Sequence, residues 1–117
     1  MFRFENLEIW NFAIGFAKSI YGVTEKFPQI EQFTLGDQLR RASVSVSANI
    51  AEGSGSSTNK DFQNFLSIAA KSLFEVVSLL KIAEQNGYMS ESEYNDTYQT
   101  AENLAKKIYA FRNAISN

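Results

Sequence analysis

Residues 35–55, LGDQLRRASVSVSANIAEGSG, decide the fold of this chain. Their middle alternates Ser43, Ser45 and Ser47 with Val44, Val46 and Ala48. Serine and valine rank below alanine and leucine as helix formers, so the alternation invites a strand reading. Strict alternation holds only from Val44 to Ile50, however. At helical spacing Leu35, Leu39, Ala42, Val46, Ile50 and Gly53 fall in one narrow sector, which accounts for the longer stretch from Leu35 to Gly53. The longer match is the helix. A polar stripe runs beside the apolar one: Gln38, Arg41, Ser45, Asn49 and Glu52. Gly53 and Gly55 are expected to supply a left-handed turn at its end. A helix with side chains this small stands mainly when neighbours pack closely on it.

Upstream, Phe4 to Phe27 reads as a first helix with two apolar stripes. One is Leu7, Trp10, Ile14, Ala17 and Tyr21; the other is Phe12, Phe16, Ile20, Val23 and Phe27. A helix this apolar is either deeply buried or touches more than one neighbour. Pro28, the only proline, closes it. Thr34, with Asp37 three residues on, is a modest cap signal for the second helix. Downstream, Thr58 or Ser57 is placed to cap a third helix, about Asn59 to Asn86. Its main face is Phe62, Phe65, Leu66, Ala69, Leu73, Val76, Val77, Leu80 and Ala83, with Ile68, Ser72, Glu75, Leu79 and Ile82 flanking it and Phe74 outside both. Asn86-Gly87 is a helix stop, and Ser90 with Glu93 forms a capping box for a fourth helix reaching Ala114. Its face is Tyr94, Tyr98, Ala101, Leu104 or Ala105, Ile108, Phe111 and Ile115. Four helices with short connections predict an all-α, single-domain, antiparallel up-down-up-down four-helix bundle spanning residues 1–117. Helices one and three carry more apolar surface than a lone bundle can bury, which points to a second copy of the chain as partner.

Composition narrows the function. The 117 residues contain no Cys and no His, which removes thiol nucleophiles, zinc-finger ligands, Ser-His-Asp triads and histidine bases. Net charge is −2, mildly against a duplex-binding module. Neither a membrane-spanning run nor a signal-peptide pattern is present in the sequence, so a soluble cytoplasmic protein is expected.

At Ala48-Asn49-Ile50-Ala51-Glu52-Gly53 the chain resembles the bacterial four-helix-bundle family encoded in intervening sequences of large-subunit ribosomal RNA genes. Matching pieces include Phe4-Glu5-Asn6-Leu7 with Trp10, Phe27-Pro28 with Glu31, Gln38-Leu39-Arg40-Arg41-Ala42, Ser72-Leu73 with Glu75, and Gly87-Tyr88. Lys71 departs from a glycine common in relatives, at an outward position. The resemblance implies a ring-shaped homo-oligomer, a pentamer, with no assigned activity. It also implies kinship with the accessory variability proteins of retroelements, which engage a reverse transcriptase and nucleic acid.

Of the candidate sites, the stripe Gln38, Arg41, Ser45, Asn49 and Glu52, facing Ser72 and Glu75 of helix three, is read first as a polar network joining helices or subunits. The competing readings are a small-molecule pocket and an RNA contact. Glu52 with Glu75 suggests acid–base or metal chemistry only weakly, because di-iron bundles pair Glu with Glu-x-x-His and no His exists. Gly53 to Lys60 lacks phosphate-loop spacing and is read as a turn. Arg40, Lys106, Lys107 and Arg112 are the candidate nucleic-acid contacts, which repetition around a ring would strengthen. The expectation is therefore a non-enzymatic, cofactor-free, self-assembling protein, a scaffold in a nucleic-acid-associated complex. A direct RNA-binding module is the alternative.

Overall fold

The structure is a computed structural model that describes residues 1–115. A single 3-10 turn, Arg3–Asn6, precedes α1 (Glu8–Glu25). A second short turn, Gln29–Glu31, leads into α2 (Leu35–Ser54), and α3 (Asn59–Gln85) and α4 (Glu91–Ala114) follow. The described residues contain no strand. Helix α2 packs on α1 and α3, and α4 packs on α3 and α1, so the helices succeed one another around one core. No described helix is long and apolar enough to cross a membrane.

The core is one continuous cluster. It takes Ile9, Ala13, Phe16 and Ile20 from α1, and Leu39, Val46 and Ile50 from α2. Phe62, Leu66, Leu73, Val76 and Leu80 of α3 and Leu104 and Ile108 of α4 complete it. Burying each of the larger side chains contributes roughly 1.5–3 kcal/mol, so Leu39, Val46 and Ile50 outweigh the poor helix propensity of the Ser/Val stretch. The buried serines of α2 cost little, because each hydroxyl folds back onto its own helix. Ser43 donates to the Arg40 carbonyl at 2.9 Å, Ser47 to that of Val44 at 3.1 Å and Ser54 to that of Ala51 at 2.7 Å. With their donors satisfied, they pack as small spacers.

The caps at the later helix ends form as their residues predict, and the earlier ones do not. Thr58 caps α3 through the Asp61 amide at 3.1 Å, and Ser90 and Glu93 form the expected reciprocal box. Gly87, at φ 76°, ends α3 with Gly87 N–H on the Glu84 carbonyl and Tyr88 N–H on that of Ala83, a Schellman closure. Three expectations need correction. The first α-helix starts at Glu8 rather than Phe4, because Leu7 adopts an extended conformation (φ −85°, ψ 125°) and breaks the 3-10 turn from α1. Thr34 does not cap α2; its hydroxyl turns to the Glu31 carboxylate instead. Gly53 and Gly55 make no left-handed turn: Gly53 is inside α2 and Gly55 has φ −87°.

Gly53 has a different task. A Cβ built on it would sit 2.7 Å from Phe65 Cβ and 2.9 Å from Phe62 Cδ1. Only a residue without a side chain lets α3 approach there.

Candidate functional site

The polar stripe of α2 divides in two. Asn49 Nδ2 donates to the Ser45 carbonyl at 2.8 Å and to Ser45 Oγ at 3.0 Å, and Ser45 Oγ lies 2.9 Å from Ser72 Oγ of α3. Ser72 in turn donates to the Ile68 carbonyl at 3.2 Å. With that proton placed, the chain runs one way, from the Asn49 amide through Ser45 to Ser72 and Ile68. It joins α2 to α3 by neutral hydroxyls at half-buried positions. The charged members stay outside it. Arg41 is exposed and pairs along its own helix, with Nε 2.8 Å from Asp37 Oδ2, rather than with Glu75. Gln38, Glu52 and Glu75 are exposed. Among the described residues no three acidic side chains gather as a metal site would require.

The four candidate nucleic-acid cations are spread over the bundle. Arg40 is half-buried and clamps the α1–α2 connection: it donates to Thr24 Oγ1 at 3.0 Å and to the Gln32 carbonyl, while Gln32 Nε2 reaches the Thr24 carbonyl at 2.8 Å. Arg112 Nε donates to Ser67 Oγ at 2.8 Å, and Gln63 Nε2 returns a bond to the Arg112 carbonyl at 2.9 Å, tying α4 to α3. Lys107 meets Glu8 at 2.9 Å and lies over the Phe12 ring. Lys106 is exposed, 4.0 Å from Glu102. The sequence could not pair Arg40 with Thr24 and Gln32 or Arg112 with Ser67, because those partners come from other elements.

Several carboxylates are held below their ordinary range. A hydrogen bond from Lys107 does so for Glu8. Glu93 is lowered first by Lys26 and then by the Ser90 amide of the capping box. Thr34 and then Tyr88 lower Glu31, and that contact raises the Tyr88 phenol. All of these groups tie helices or loops together.

Apolar side chains are exposed as well. On α1 the core row is Ile9, Ala13, Phe16 and Ile20, and the first of the two expected stripes splits: Ala17 is buried and Leu7 and Trp10 pack against the core, while Ile14 is 43% and Tyr21 50% exposed. This outward row, Ile14 and Tyr21, lies on the α2 side of α1, as Thr24 does, whereas Glu8, Phe12 and Lys26 face α4. Exposed Val44 of α2 adds to that side. Across the bundle, α3 and α4 leave an apolar groove of about 400 Å³, walled by Phe74 and Tyr98 and floored by Leu73, Val77, Ala101 and Ala105. Phe74 is 59% exposed. Tyr98, expected in the core face of α4, stands at the wall of this groove, and Thr97 takes the buried place with its hydroxyl on the Glu93 carbonyl.

These features define an all-α four-helix protein whose hydrogen-bonded polar side chains tie its helices together and which leaves several large apolar side chains exposed. The chain belongs to the 23S rRNA-intervening sequence protein family, which it matches over residues 5–110. A similar solved structure is a protein with unknown function from the S23 ribosomal protein family of Bacteroides thetaiotaomicron VPI-5482. The two are 22% identical over 89% of this chain and 97% of that one, with a TM-score of 0.82. At that identity the likeness speaks for the fold. No curated protein matches the chain.

Proposed function

We propose that this chain is a non-enzymatic, self-assembling structural protein whose homo-oligomer serves as a scaffold in a nucleic-acid-associated complex in the cytoplasm. One observation carries the reading: apolar surface is exposed on two sides of the bundle, along Ile14, Tyr21 and Val44 and again at Phe74 and Tyr98. Exposed apolar patches of this kind mark association surfaces. The helices run antiparallel, up-down-up-down. Supporting this, Gly53 lies by Phe65 while Ser45 lies by Ser72, and Glu8 meets Lys107 while Lys26 meets Glu93. The nucleic-acid context rests on the family's tie to ribosomal RNA genes, and the ring of five on the resemblance.

Direct RNA binding is the rival, and the engagement of Arg40, Lys107 and Arg112 within the subunit weighs against it. Light scattering on the purified chain tests the proposal. An oligomer supports it, and a monodisperse single subunit at micromolar concentration overturns it. A gel shift with structured ribosomal RNA at low salt decides the rival: a salt-sensitive shift would replace the scaffold reading with direct binding.

A further inference from the structure

Resting on the self-assembly reading, we propose which surfaces meet: the outward row of α1 in one copy seats in the α3–α4 groove of the next, with Lys18 of the first against Glu102 of the second. The two surfaces carry matching patterns. On α1, Lys18 stands four residues after Ile14 and three before Tyr21. On α4, Glu102 stands four residues after Tyr98 and three before Ala105. Each helix thus presents one charge bracketed by apolar positions of one seam. The bracketing residues span seven positions on both, about 10 Å at 1.5 Å per residue. Small Ala101 and Ala105 leave room between Phe74 and Tyr98 for a knob the size of Ile14 or Tyr21.

The charges complement one another, and neither is held by a close ion pair within its own subunit. Lys18 is exposed, with no ion pair among the described residues. Glu102 rims the groove, where its carboxylate accepts a long hydrogen bond from Gln99 Nε2 at 3.4 Å and has a loose charged neighbour in Lys106 at 4.0 Å. Opposite charges at an interface rim fix register and exclude wrong pairings. The row lies on the α1–α2 side and the groove on the α3–α4 side, across the core. A two-fold pairing through either surface would leave the other bare, whereas a head-to-tail contact covers both in every copy.

The chain has no cysteine, so a designed pair is free of background. Treated with a bis-maleimide, which spans the Cα separation of a Lys–Glu pair as a disulfide cannot, the double variant Lys18→Cys/Glu102→Cys is expected to yield a ladder of crosslinked species, while each single variant yields dimers at most. Sedimentation velocity supplies the second arm. Lys18→Glu and Glu102→Lys alone should each shift the protein toward the single-subunit size, and the combined exchange should restore the parent's size. Phe74→Glu should also disperse the assembly, and its exposed position leaves the core untouched. If the parent assembles and no ladder forms, or the combined exchange fails to restore size, this docking is wrong while self-assembly stands. If the parent is a single subunit, self-assembly itself fails and the docking with it.

Discussion

Along the α2–α3 seam, a glycine admits two phenylalanines and two serine hydroxyls meet at 2.9 Å. Along the α1–α4 seam, Glu8 reaches Lys107, Lys26 reaches Glu93, and a cleft of about 290 Å³ opens between Phe12, Gly15, Phe16, Ser19 and Thr100. The first seam is close because its side chains are small and its polar atoms are neutral and satisfied. The second is bridged by long, partly exposed ion pairs, which hold loosely because both partners keep their water and their rotamer freedom. Helices of similar length are thus joined in two physical ways. The first is sensitive to volume and the second to charge.

Volume should give the largest effect. Gly53→Leu places atoms where Phe65 and Phe62 already stand, and overpacking of this kind costs about 1–3 kcal/mol. A marked drop in the urea midpoint is expected, whereas the same change at Gly15, whose Cβ position has no heavy atom within 4 Å, should be mild. Equal losses at both glycines would erase the contrast between the seams. Ser45→Ala comes next. It removes one of the two acceptors of the Asn49 amide and the partner of Ser72 Oγ, a loss of about 1 kcal/mol. Ser72→Ala should cost a similar amount, and the double variant less than the sum, because both break one chain. Strict additivity in denaturant melts would show that the hydroxyls act separately.

Those glycines also show where the sequence was legible. Ser90-Glu93 and Asn86-Gly87 were readable because a cap is a contact between near neighbours in the chain. Gly53 was not, because glycine signals either an unusual φ or a close approach, and only Phe62 and Phe65, brought in by α3, select the second. Helical spacing found the α2 core row, yet it could not tell which stripe of α1 faces inward, since Trp10, Ile14 and Tyr21 repeat as regularly as Phe16, Ile20 and Val23. In the candidate site, Ser45, Asn49 and Ser72 do come together, while Arg41 finds Asp37 one turn away. Nearby carboxylates on one helix compete with those across a seam, and the periodicity of the stripe does not rank them.

Acid should separate the seams without any mutation. Glu8 and Glu93 are both lowered in the folded chain by their lysines. A carboxylate with a depressed folded pKa stabilises fully above its ordinary value, and that contribution fades as pH falls through the ordinary value toward the depressed one. The α1–α4 seam should therefore loosen first on acidification. Hydrogen exchange read at falling pH should show the amides of α4 losing protection before those of α2, whose contacts with α3 are neutral. Uniform loss across all helices would mean that the bundle opens as one unit and that the ion pairs mark no weak seam.

Lys107 offers the smallest effect and the finest discrimination. Its ammonium meets Glu8, while the same group lies 5.6 Å from the centre of the Phe12 ring. If the charge pair matters, Lys107→Met, which keeps most of the stem over the ring, should lower the melting temperature slightly at low salt and not at all at high salt, where the parent's ion pair is screened. If packing of the stem dominates, Lys107→Met should melt like the parent at both, and Lys107→Ala should lose stability at both. A salt-independent loss in the Met variant would fit neither account. It would leave the cation over Phe12, a contact less exposed to screening than a surface ion pair, as the interaction that closes the α1–α4 seam.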